Sequence, residues 1–249
     1  MERYQVIIAY DGTLYKGFQR QAQAPTVQGV IEDALRRLSW HGKSILAAGR
    51  TDSGVHASGQ VIAFDLDWRH PDAALRNALN AELPRDVSAL KVARVVANFH
   101  PRYDAVARHY VYRIYCSEAR NPLLDRYAWR TSQALDVDRM VCAAASLLGT
   151  HDFGAFGTPV HTAGTTVRTI FSTAWREEIS GQDPPVWLFD VRGNAFLYHM
   201  VRRIVFLLVS IGQEHQRVDV ITELLEPPPE RPIQGLAPAC GLSLVEVTY

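Results

Sequence analysis

The sequence predicts an α+β protein: two similar α/β modules sharing a largely antiparallel, mixed sheet, with helices packed on it and a cleft between the modules. Three observations carry this. Strand-like runs alternate with amphipathic helical segments along the chain, the same mixture recurs in both halves, and neither Gly-rich linkers nor repeats interrupt it. With 249 residues, 47% of them hydrophobic and 21% charged, the chain is long enough for one large or two smaller cores. The modules are expected over residues 1–103 and 104–249, joined near Phe99–Asp104.

Each element has its own signal. Tyr4–Tyr10 reads as a strand, and Thr26 is placed to N-cap a helix whose Val27, Val30, Ile31, Ala34, Leu35 and Leu38 follow helical spacing. Ile45–Ala48 and Gln60–Leu66 are strands bracketing a Gly-Asp loop, Pro71 opens a short helix through Leu79, and Val87–Val96 is a further strand. The second half begins with strand Ala107–Tyr115, followed by helix Val137–Leu148 stopped at Gly149. Strands Thr166–Ile179 and Val186–Arg192, helix Phe196–Ile211 and strand Leu242–Thr248 complete it.

Composition excludes several classes of protein. The three cysteines, Cys116, Cys142 and Cys240, are widely spaced and odd in number, so neither a disulfide framework nor a CxxC zinc site is expected, and a reducing cytoplasmic setting follows. The chain enters a strand without a basic start and apolar core of signal-peptide type, and the run Ile204–Ile211 is too short to span a bilayer. Net charge is zero, but its distribution is uneven. Residues 98–130 carry six arginines against three acids, whereas residues 218–249 carry one arginine against five. Only three of the 26 basic residues are lysines, and guanidinium groups suit bidentate phosphate contacts and stacking on bases.

The block Gly49-Arg50-Thr51-Asp52-Ser53-Gly54-Val55-His56-Ala57 sets one carboxylate between glycines with an arginine two positions before it. Glycines allow close backbone approach, and Arg50 offers a positive neighbour that would keep a partly buried Asp52 ionised. That is a setting for a nucleophile, although a polar loop whose Asp serves local N–H groups has the same composition.

Two further segments mix charge with apolar surface. In strand Ala107–Tyr115, Arg108, Tyr110, Tyr112 and Ile114 share one face, an alternation that suits base stacking and phosphate holding, and equally any half-buried strand. In helix Phe196–Ile211, Met200, Val201, Ile204, Leu208 and Ile211 make an apolar face, while Tyr198 and Arg202 stand four apart as a polar stripe. A desolvated Arg202 needs an anionic partner and Asp52 is a candidate; alternatively Arg202 and Arg203 snorkel to solvent.

Taken together the chain resembles the tRNA pseudouridine synthase A family. The likeness rests on collinear blocks across nearly its whole length: Tyr10-Asp11-Gly12-Thr13 with Tyr15, Gly17 and Gln19; Thr26-Val27-Gln28-Gly29; the Asp52 block; and Asn77-Ala78-Leu79-Asn80. It continues through Phe99-His100-Pro101-Arg102, Arg108 to Tyr112, Gly149-Thr150-His151-Asp152-Phe153, Phe196 to Arg202, and Pro238-Ala239-Cys240-Gly241-Leu242. Phe18, Pro101 and Arg203 depart from the residues usual there, Trp, Ala and Asn.

The resemblance implies a homodimeric enzyme, free of metal, nucleotide or other cofactor, that isomerises uridine to pseudouridine at positions 38, 39 and 40 in the tRNA anticodon arm. It implies Asp52 as nucleophile, Tyr110 as the active-site tyrosine and Arg202 as the cationic partner of Asp52. Arg50 would hold the target nucleotide out, and Thr51, His56, Arg102, Arg108, Tyr110 and Leu242 complete the substrate-contacting set.

Other classes fit less well. The scattered histidines have no HExxH-type spacing for a metal-dependent nuclease, and Gly54 is followed by Val55 instead of the Lys of a P-loop. A two-carboxylate glycoside hydrolase needs a second acid, for which only Asp65 and Asp104 offer themselves. A non-catalytic protein binding structured RNA is the serious alternative, and Asp52 discriminates, since a pure binder gains nothing from a carboxylate in an RNA groove.

Overall fold

The computed structural model describes residues 1–159, 164–179, 181 and 184–249. It divides into two compact units, Met1–Val106 with Ser243–Tyr249, and Ala107–Leu242. The first holds β1 (Glu2–Tyr10), α1 (Val27–Arg37), β2 (Leu46–Ala47), β3 (His56–Leu66), α2 (Asp72–Glu82) and β4 (Val87–Val95). The second holds β5 (Ala107–Cys116), β6 (Trp129–Thr131), α3 (Val137–Ala145), β7 (Gly149–Asp152), β8 (Val167–Glu178), β9 (Val186–Gly193), α4 (Met200–Gly212) and α5 (Val220–Leu225). The closing strand is β10 (Leu242–Thr248).

In the first unit β1 runs antiparallel between β3 and β4, with Tyr4 opposite Phe64 on one side and Arg94 on the other. Its alternate residues Tyr4, Val6, Ile8 and Tyr10 are all buried, as period-two patterning requires of a strand with one face on the core. Helix α1 buries Val27, Ile31, Ala34 and Leu35, and α2 buries Leu75 and Leu79. The expected N-cap forms: Thr26 accepts the Gly29 N–H at 3.3 Å. Strand β3 begins at His56, four residues before the expected Gln60, because His56 and Ala57 pair in parallel with Ser243 and Leu244 of β10. The sequence reading placed this last strand in the second module, since alternation within a strand does not reveal its partner; the chain returns it to the first unit.

In the second unit β9 lies antiparallel between β5 and β8, β7 follows β8, and β6 runs parallel beside β5. Val111, Tyr112, Ile114 and Tyr115 of β5 are all buried, so its C-terminal half faces core on both sides, while Arg108, His109 and Tyr110 keep partial exposure. Both units are thus α+β with largely antiparallel strands.

Helix α4 starts at Met200, not at Phe196: His199 takes a left-handed φ of 67°, and Tyr198 forms a strand-like bridge with Thr158. Tyr198 is therefore outside the helix, and the proposed Tyr198–Arg202 stripe does not exist. Its exposed ring stacks on His199 instead, with centroids 3.7 Å apart. Helix α3 stops at Ala145, and Gly149, with φ 99°, opens β7. Strands β6 and β7 and helix α5 are too short to show a period of their own.

Candidate active site

In the first unit, Asp52 is half-buried on the loop between β2 and β3, and the loop is fixed from several directions. Gln60 donates to the Gly49 carbonyl at 3.0 Å, and the Phe18 N–H donates to the Thr51 carbonyl at 3.0 Å. The Tyr15 carbonyl accepts from the Ser53 hydroxyl at 3.2 Å and from the Gly54 N–H at 3.3 Å. A turn closes around the carboxylate as the Val55 N–H reaches the Asp52 carbonyl at 3.2 Å. Beneath it, the buried Tyr10 and Thr51 hydroxyls hydrogen-bond at 2.7 Å.

The segment opposite is cut to fit. A Cβ on Gly12 would lie 2.0 Å from the Val55 carbonyl oxygen, so only glycine allows this approach. Gly17 sits at φ 93°, a conformation that L side chains rarely adopt, and a Cβ there would lie 3.1 Å from the Thr51 carbonyl oxygen. His56, expected to contact substrate, is only 6% exposed; its Nδ1 accepts the Gly12 N–H at 3.0 Å and lies 3.2 Å from Asp11, which holds this segment in place. Tyr15 donates to Asp86 at 2.7 Å; burial and that carboxylate push its phenol well above the ordinary value, so it stays protonated.

The support extends to a group that sequence reasoning missed. Helix α1 turns its N-terminal N–H groups on the Gly17–Phe18 segment, Val27 donating to the Gly17 carbonyl and Gln28 to that of Phe18. On that helix Glu32 is fully buried, accepting from Gln28 at 2.8 Å and from the Ile45 N–H at 3.2 Å, and pairing with Arg20. Glu32 and Gln28, four residues apart, are the two polar residues on the buried face of α1, and a carboxylate among Ile31, Ala34 and Leu35 is an anomaly visible in the sequence.

Arg50 is exposed. Thr51, 7% exposed, serves the loop from within. Arg102 lies half-buried in the turn that follows Phe99. The two acids held open as second carboxylates are engaged elsewhere: Asp65 chelates Arg3, and Asp104 accepts the His100 N–H at 2.9 Å.

In the second unit, Tyr110 is half-buried on β5 and packs edge-to-face on Phe196 with centroids 5.0 Å apart. Arg108, two residues earlier, donates to the Asn194 carbonyl at 2.8 Å, and Asn194 ties itself to Thr169 through both backbone and side chain. Tyr112 is instead wholly buried and donates to the Pro238 carbonyl at 2.6 Å, which anchors the segment leading to Leu242, itself 6% exposed. Arg202 is half-buried at the start of α4; its Nε donates to the Ala237 carbonyl at 2.8 Å while the Ala237 N–H returns a bond to the Arg202 carbonyl. Arg203 does not snorkel to solvent: it reaches the carbonyls of Ile233 at 3.2 Å and Phe156 at 3.3 Å. Among the described residues no three His, Cys, Asp or Glu side chains gather as a metal site requires, and no helix is long and apolar enough to cross a membrane.

Each unit thus carries chemistry of its own on an α+β frame: a half-buried carboxylate on a clamped loop in the first, and an arginine- and tyrosine-bearing strand in the second. The family model for tRNA pseudouridine synthase matches residues 6–104 and 143–249. A tRNA pseudouridine synthase A of Thermotoga neapolitana is 42% identical over 250 residues, covering all of both chains. That of Geobacter sp. (strain M21) is 39% identical over 250 residues, covering all of this chain and 99% of the relative. A solved structure of a Cbf5-Nop10-Gar1 complex aligns with 83% of this chain and 45% of its own at 13% identity and a TM-score of 0.37. The chain belongs to the tRNA pseudouridine synthase family and is an isomerase.

Proposed function

We propose that this isomerase converts uridine to pseudouridine at positions 38, 39 and 40 of the tRNA anticodon arm, acting as a cytoplasmic homodimer with Asp52 as the nucleophile on a flipped-out uridine. The reading is supported by the family, by the motif blocks that carry the resemblance, and above all by the way the Asp52 loop is held. Bonds from Phe18, Ser53, Gly54 and Gln60 and the Tyr10–Thr51 pair leave the carboxylate's backbone little freedom. A nucleophile fixed in advance does not have to be ordered when substrate arrives.

The chemistry sets the demands. The N1–C1′ bond of uridine breaks, the uracil turns, and a C5–C1′ bond forms; C5 loses a proton, N1 gains one, and nothing else is consumed. Asp52 supplies the carboxylate that carries the sugar or the ring between the two bonds, and Tyr110 stands at the base to stack on it and to serve proton transfer at C5. Arg202 is the cation that keeps Asp52 ionised once RNA has stripped its water. Arg50, exposed beside Asp52, holds the target nucleotide out of the helical stem, where extrusion costs a few kcal/mol.

The test is pseudouridine mapping on tRNA transcripts carrying uridine at each of the three positions, treated with wild type and with Asp52→Asn. Wild type modifies those uridines; the Asn protein binds the same tRNA within a few fold and forms none. Modification confined to other sites would overturn the positions, and pseudouridine from the Asn protein would overturn the nucleophile. Binding without modification by wild type would leave a structured-RNA-binding protein.

A further inference from the structure

The turn that ends the Phe99-His100-Pro101-Arg102 block carries an aromatic ring that the catalytic reading does not use. Tyr103 is 75% exposed, yet the backbone under it is tied by several hydrogen bonds. The Asp104 N–H donates to the His100 carbonyl at 3.0 Å, and the Asp104 carboxylate accepts the His100 N–H at 2.9 Å. His100 Nδ1 takes the N–H groups of Arg102 at 3.1 Å and Tyr103 at 3.4 Å, which places the ring proton on Nε2. From below, Tyr249 donates to the Pro101 carbonyl at 2.9 Å, Arg3 donates to the Phe99 carbonyl at 2.8 Å, and the Phe99 and Tyr249 rings pack 5.0 Å apart.

On this base the Tyr103 ring rests against the His100 imidazole, centroids 4.2 Å apart and planes inclined by 34°, with the Arg102 guanidinium 5.9 Å from its centre. Apart from these two contacts, a ring left so exposed buries little of its surface for folding. What it offers is a π surface already oriented, with imidazole behind it and a cation at its side. That combination suits a planar, anion-linked ligand, and stacking on such a surface tolerates any base because every base has a π face.

We propose that Tyr103 is a stacking platform for an unpaired nucleobase of the RNA substrate, outside the reacting uridine, with Arg102 beside it to meet the adjoining phosphate. The reacting base needs enclosure from water and so cannot be the one that lies on a ring this exposed. The proposal rests on tRNA being the substrate. Because the turn is preorganised, the ring binds without first being ordered, which is where its contribution to affinity arises.

Tyr103→Ala, Tyr103→Phe and Tyr103→Trp test it, each checked by thermal melting against wild type and assayed for tRNA affinity over a range of salt. The Ala protein binds about 5- to 100-fold more weakly with an unchanged salt slope, because a stacked base releases no counterions. Phe restores affinity, and the Trp protein gains a fluorescence component that tRNA quenches and that wild type, with its own five tryptophans, lacks. Wild-type affinity in the Ala protein, loss that Phe does not repair, or an added Trp signal that tRNA leaves unchanged would each overturn the platform. Wild-type protein failing to modify tRNA in parallel would instead overturn the function on which it rests.

Discussion

The Tyr10 phenol hydrogen-bonds the Thr51 hydroxyl at 2.7 Å in the interior of the first unit, one residue before Asp52. This couples the end of β1 to the loop that presents the carboxylate, so the first strand of the chain sets where Asp52 stands. Tyr10→Phe keeps the ring and removes the bond, leaving Thr51 with a buried hydroxyl to satisfy. A cost of about 1 kcal/mol in stability is expected. The single-turnover rate should fall further than that loss of folded protein accounts for, while tRNA affinity changes little. A rate equal to wild type would detach the strand from the site.

Glu32 extends the same support one layer outward. Its carboxylate, fully buried, is shared among Gln28, the Ile45 N–H and Arg20, and Gln28 in turn donates its N–H to the carbonyl of Phe18, whose own N–H holds Thr51. Glu32→Gln preserves volume but turns an N–H₂ toward the Arg20 guanidinium. Because Arg20 is half exposed and can turn to water, the expected loss is about 2–3 kcal/mol, that of a charge-assisted hydrogen bond, and not that of a stranded charge. Chemical denaturation gives the stability; kcat falling with KM nearly constant among the molecules that remain folded identifies positioning.

Much of the fold was legible because its signals are periodic. The alternation in β1, the Thr26 cap of α1 and the run of β9 all follow from spacing within one element. What escaped depends on partners remote in sequence: the return of β10 to β3, the early start of β3, and the break at His199, where a left-handed residue replaces a helical turn. The site divides in the same way. Asp52, Tyr110 and Arg202 stand out as residue types in improbable company, but no pattern foretold that His56 is buried beneath Gly12 or that Arg203 spans two carbonyls. Those roles belong to the packing of loops, which have no period.

The Arg3–Asp65 pair joins β1 to β3 and, through Arg3, reaches the Phe99 carbonyl under the Tyr103 turn. The Arg3 guanidinium bonded to it holds the Asp65 carboxyl below the ordinary value of 3.8. A carboxylate whose folded value lies below its unfolded one stabilises the fold above the unfolded value, and that contribution is lost as pH falls through the folded one. Asp65→Asn is therefore expected to melt slightly below wild type at neutral pH, with the difference closing as the pH drops below about 4. The effect is small because Asp65 is 41% exposed and water screens the pair. A melting difference that persists unchanged at pH 2–3 would remove the ion pair as its source.

Tyr110 and Tyr112 are two residues apart on one strand, share a face by alternation, and are assigned opposite tasks by their surroundings. Tyr112 is wholly buried with its hydroxyl committed to the Pro238 carbonyl, and burial pushes its phenol well above the ordinary value, so it stays protonated at neutral pH. Removing that hydroxyl strands a buried acceptor: Tyr112→Phe should lower stability by about 1–2 kcal/mol and leave the rate of the folded fraction within a few fold. Tyr110 keeps partial exposure and rests its ring on Phe196, a contact that Phe at 110 would preserve. Tyr110→Phe is expected to keep that ring contact and to lose well over tenfold in single-turnover rate if its hydroxyl moves the C5 proton. Melting curves and single-turnover rates on the two variants separate the roles. Equal, mild rate losses would reduce Tyr110 to a stacking surface, and a rate loss confined to Tyr112→Phe would move the active tyrosine to the other position.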